Sequence, residues 1–65
     1  MAQAQTTEDL PVSRRMELFH LLVVGQDCGM SVAEAREMVC VLYGLVESQA
    51  IRIEHEGLET AWPPL

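Results

Sequence analysis

The stretch from Ser31 to Val46 constrains the fold more than any other, because it opens on a helix start signal and then runs without a charge from Met38 onward. Ser31 followed by Glu34 fits the capping box, in which the serine hydroxyl accepts from the third helical N–H and the glutamate side chain accepts from the serine N–H. Met30 stands where a hydrophobic staple onto Ala35 begins. These signals predict a helix over 32–49, with Val32, Ala35, Val39, Leu42 and Val46, reinforced by Met38 and Leu45, recurring at helical spacing. Gly44 falls inside that helix, where a glycine costs about 1 kcal/mol against alanine unless another backbone approaches closely. Cys40 and Gly44, one helical turn apart, make a shallow groove beside Val41 and Tyr43. One neighbouring helix cannot cover apolar surface on every side, so this face is a candidate for a second copy of the chain or a foreign protein.

A preceding helix is expected from Leu10 or Ser13 to Gln26. Asp9-Leu-Pro-Val-Ser13 offers a cap and a proline tolerated in a first turn, and Gly29 supplies a stop. Its apolar positions, Met16, Leu18, Phe19, Leu21, Leu22, Val23 and Val24, cover more than half its circumference. The connection Asp27-Cys-Gly-Met30 is short enough to force an antiparallel helical hairpin. After Gln49 the apolar period shortens to two: Ile51 and Ile53 alternate with Arg52 and Glu54, Glu56-Gly57 reads as a turn, and Leu58 to Trp62 alternates again. A β-hairpin follows, pairing Ile51 with Trp62, Ile53 with Thr60, His55 with Leu58 and Glu54 with Glu59, and ending at Pro63-Pro64. The expected fold is therefore α+β, a two-helix hairpin followed by a C-terminal β-hairpin in one small domain over 10–65, with a short disordered lead-in over 1–9. The alternative to a partner on the second helix is that the hairpin itself covers the apolar surplus, with Trp62 and Leu65 as a lid.

At 65 residues the chain sits near the lower size at which a domain folds unaided. Cys28 and Cys40 permit one bridge at most and read as buried thiols, which favours a reducing, cytoplasmic setting. The early apolar run Leu18–Val24 is too short to span a bilayer, and no secretory signal is visible. Ten carboxylates face four arginines and no lysine, for a formal charge of −6. Lys and Arg supply most of a nucleic-acid binder's affinity, so direct DNA or RNA binding is disfavoured and an electropositive protein partner is expected. Glu34, Glu37 and Glu47 on the second helix, with Glu54, Glu56 and Glu59 on the hairpin, are the candidate partner-binding carboxylates.

Chemistry has little to stand on. His20, His55, Cys28 and Cys40 are scattered, without the paired short spacings a metal site uses. Ser31 is committed to capping, Gly25 and Gly29 are isolated, and no nucleophile has a base beside it. No catalysis, metal or cofactor is expected. The order helix, tight turn, capped helix, Ala50-Ile-Arg-Ile-Glu and a second strand, over Ser13 to Trp62, resembles the latter part of a winged helix-turn-helix domain. That resemblance implies a recognition role for the second helix, a wing in the hairpin, and an alternative function as a dimeric DNA-binding regulator acting through Arg14, Arg15, Arg36 and Arg52. In size, charge and lack of chemistry the chain resembles the small acidic inhibitors carried by phages and mobile elements, including anti-CRISPR proteins, which implies occupation of a basic surface of nucleic-acid machinery. The expectation carried forward is a small acidic interaction module, homodimeric, without catalysis.

Overall fold

The structure, a computed structural model, describes residues 10–63, and the expected lead-in over 1–9 and the lid residue Leu65 lie outside the described residues. It consists of three helices, α1 (Val12–Asp27), α2 (Val32–Tyr43) and α3 (Glu47–Thr60), and among the described residues there is no strand. The first helix and the start of the second form as the sequence suggests. Ser31 Oγ accepts from the Glu34 N–H at 3.1 Å, and Glu34 Oε1 accepts from the Ser31 N–H at 2.8 Å, so the capping box starts α2. Gly25 on α1 packs against Met30, Ala35 and Met38, while the Arg14 guanidinium lies 5.7 Å over the Tyr43 ring at the opposite end. These contacts fix α1 and α2 as an antiparallel pair.

Two expectations are overturned after that point. The second helix stops at Tyr43 instead of Gln49, because Gly44 takes the left-handed conformation (φ 67°, ψ 36°). The N–H groups of Gly44 and Leu45 both donate to the Cys40 carbonyl, closing the helix in the manner of a left-handed C-cap. Gly44 is therefore a terminator and not the floor of a mid-helix groove. The expected β-hairpin is instead the helix α3, so the fold is all-helical and not α+β. Gln49, Ala50, Ile53 and Gly57 are its buried residues, at helical spacing of three and four, and the alternation of Ile51 with Ile53 is incidental to that longer period. Glutamate-rich sequence also favours helix over strand. Val46 offers no side-chain acceptor, but Gln49 Oε1 accepts from the Val46 N–H at 2.9 Å and so organises the first turn.

The glycine expected at a hairpin turn has a packing role. Gly57 lies against the Phe19 ring of α1, and a Cβ added there would fall within the ring's van der Waals envelope. All three helices touch one another around a core of Leu18, Phe19, Leu22, Ala35, Val39, Leu45, Ala50 and Ile53. Leu18, Leu22, Val39 and Ile53 are the largest fully buried side chains, each contributing on the order of 1.5–3 kcal/mol by leaving water. Trp62 meets Phe19 of α1 edge-on at 5.9 Å, while Val41 and Leu42 of α2 stay exposed, so the alternative in which it lids the second helix does not hold for these residues.

Ala61 ends α3 in the left-handed region (φ 55°, ψ 49°), where its Cβ is disfavoured and glycine is not. The two C-caps therefore predict opposite signs. Gly44→Ala is expected to lower the unfolding free energy by about 1–2 kcal/mol, and Ala61→Gly to raise it by about 0.5–1 kcal/mol. Urea titration followed by circular dichroism reads both, and equal signs would contradict the assigned helix ends.

Candidate functional site

Three surface features are built by this arrangement. The first is a set of ion pairs that straddle α3. On one side Glu56 receives a fork from Arg15 of α1, Nε to Oε1 at 2.8 Å and Nη2 to Oε2 at 3.1 Å. On the other, Glu54 receives Arg36 of α2, with Nη2 to Oε1 at 2.7 Å and Nε within 3.1 Å of both oxygens. The hydrogen bonds that Arg36 donates to Glu54 raise the Arg36 pKa above its already high ordinary value, against the opposing effect of burial. Arg15 also donates to the Leu10 carbonyl, tying the entry of α1 to the same cluster. Arg14 pairs with Glu17 at 3.2 Å across one turn of α1. Glu54 and Glu56, read from the sequence as partner-binding carboxylates, thus serve first to hold α3 on its neighbours.

Glu34 is exposed but engaged in the capping box, while Glu37, Glu47 and Glu59 stand exposed together with Asp27. The structure does not gather the six expected carboxylates onto one face, because α3 turns Glu54 inward against α2 and Glu56 toward α1. A strand would have put Glu54 and Glu59 side by side; a helix separates them.

The second feature is an apolar end. Val41, Leu42 and Val46 are 77%, 64% and 51% exposed, and Tyr43 borders them. Gly44 is exposed beside them, whereas Cys40 is half-buried. Burial, and secondarily the negative charge of Glu47, push the Cys40 thiol up from its ordinary pKa; Cys28 is exposed in the turn after α1. Neither cysteine is bonded to the other. Ending α2 at Gly44 leaves this apolar surface at a helix terminus and its following turn, not along a continuous helical face.

The third feature was not legible in the sequence. A groove of about 450 Å³ opens where the C-terminal half of α1, the start of α2 and the end of α3 meet. Phe19, Leu22 and Val23 floor it, and Val32 of α2 and Leu58 of α3 form apolar walls, 42% and 72% exposed. Asp27, the Arg36–Glu54 pair and His55 stand on its rim. It exists only because α3 is a helix, so the hairpin reading could not have found it; the exposed Leu58 in a helical register was the available signal.

Among the described residues no three His, Cys, Asp or Glu side chains come together in a way that would hold a metal ion. No helix among them is long and apolar enough to cross a membrane. Comparison with protein-family profiles, curated proteins and solved structures finds no match to this chain.

Proposed function

We propose that the chain is a non-catalytic interaction module that offers an acidic surface to an electropositive protein and self-associates through its apolar end. The observation that carries the reading is the division of the surface. Arg14, Arg15 and Arg36 are each paired with a carboxylate of the same chain, while Asp27, Glu37, Glu47 and Glu59 face solvent. With a formal charge of −6, the field outside the molecule is negative and steers basic partners toward it. Proteins that handle nucleic acids carry the strongest basic surfaces, so inhibition of such machinery is the biological form this reading favours. The winged-helix alternative loses its support, because the expected wing is the helix α3.

Self-association follows from the same charge. Two copies of an acidic chain repel wherever carboxylates meet, and the segment from Met38 to Val46 carries none. Val41, Leu42 and Val46 are exposed there, so this end is where two copies approach at least electrostatic cost. The two interactions then depend on salt in opposite directions. Screening weakens attraction to a basic partner and relieves repulsion between copies.

Light scattering on a sizing column is expected to show a dimer whose population rises with ionic strength, and Val41→Glu is expected to leave a monomer. A monomer at every concentration and salt level would overturn self-association. A fluorescent oligoarginine probe is expected to bind more weakly as salt rises, and more weakly again to a chain carrying Glu37→Gln, Glu47→Gln and Glu59→Gln. Binding indifferent to both changes would overturn the acidic-surface reading.

A further inference from the structure

The groove between α1, α2 and α3 lies at the end of the molecule opposite Val41 and Val46. Its floor and walls, Phe19, Leu22, Val23, Val32 and Leu58, are apolar, and every one of the three helices contributes to it. Leu58 is 72% exposed on the last turns of α3, with no neighbour covering it, although leucine exposure at that level leaves much of an apolar side chain in water. A space of about 450 Å³ accommodates apolar side chains from one or two turns of a helix, the usual manner in which an amphipathic helix is received by a groove.

Charge decides which helix. Asp27 closes α1 at the rim, and neither α1 nor α3 carries a basic residue in its last turn, so the negative carbonyl ends of both helices are uncompensated by their own side chains. Glu59 is exposed beside Leu58. The one arginine at the rim, Arg36, is held by Glu54, and the positive N-terminal end of α2 is answered by Glu34 in its first turn. His55 and Gln26 complete the polar lining, so Asp27 is the rim carboxylate that no arginine of the lining engages.

We infer that this groove receives a basic amphipathic helix of a partner protein, whose apolar side chains enter between Val32 and Leu58 while a lysine or arginine meets Asp27 and the C-terminal end of α1. The inference rests on the acidic-module reading and gives that reading a place on the molecule. It differs from the self-association end in position, since none of Val41, Leu42, Tyr43 or Val46 lines it.

The test is selection of a displayed library of random sixteen-residue peptides on the immobilised full chain, run in parallel on the Leu58→Gln and Asp27→Asn variants. Both positions are exposed, so neither change threatens the core. Expected are sequences with apolar residues at helical spacing and flanking Lys or Arg, binding at least tenfold more weakly to Leu58→Gln and several-fold more weakly to Asp27→Asn. Enriched basic peptides that lack the apolar spacing and bind Leu58→Gln undiminished would overturn the groove while leaving the acidic surface in place. Absence of basic enrichment would overturn both.

Discussion

The contact of Gly57 with the Phe19 ring is the interaction on which the rest of the structure depends. Two helices alone, α1 and α2, cannot cover Leu18, Leu22 and Val39, and among the described residues α3 is the one further element. The third helix must therefore approach α1 closely, and a residue without Cβ is what allows it. Once Gly57 is seated, Ile53 and Ala50 fall into the core and Trp62 meets the Phe19 ring edge-on. Glu54 and Glu56 are carried to opposite flanks, where Arg36 and Arg15 meet them. Such partly exposed pairs are each worth little, roughly 0–1 kcal/mol, but they fix the rotation of α3 about its axis. Packing supplies the energy and the ion pairs supply the register.

That register also shapes the surface. The groove exists between Val32 and Leu58 because α3 crosses at the height set by Gly57, with Phe19 forming both the seat of the glycine and part of the groove floor. The apolar end exists because Gly44 stops α2 one turn after Val39 has entered the core, leaving Val41, Leu42 and Val46 outside it. Glu54, Glu56 and Glu59, which a hairpin would have carried on its two strands and turn, are instead divided between internal pairing and solvent. Arg14, Arg15 and Arg36 are drawn into pairs within the chain, Asp27, Glu37, Glu47 and Glu59 stay exposed, and apolar side chains are exposed at Val41, Leu42 and Val46 and again at Val32 and Leu58.

The sequence disclosed the parts of this fold governed by local signals. Ser31 and Glu34 announced α2, and the short turn through Gly29 announced an antiparallel pair, because capping and loop length are decided within a few residues. The apolar excess around Met38 to Val46 was also readable, and its exposure agrees with the residues Val41, Leu42 and Val46. What the sequence concealed was α3. Ile51 and Ile53 satisfy a period of two over so short a span that the helical set of Ala50, Ile53 and Gly57 is masked, and a glycine after a glutamate resembles a turn. Gly44 misled in the opposite direction, since nothing local distinguishes a glycine that ends a helix from one that lies within it. In both cases the deciding fact was tertiary: the Phe19 ring at Gly57, and the burial of Leu45 beyond Gly44.

The most direct measurement of this account is a double-mutant cycle on Phe19 and Gly57, read by chemical denaturation. Gly57→Ala overpacks against the ring and is expected to cost about 1–3 kcal/mol, more than the roughly 1 kcal/mol that alanine returns in helix propensity. In the Phe19→Leu background the same change is expected to be neutral or stabilising, giving a coupling of at least about 1 kcal/mol. Strictly additive effects would show that the two residues do not touch, and would remove the contact that holds α3, the groove and the division of charge together.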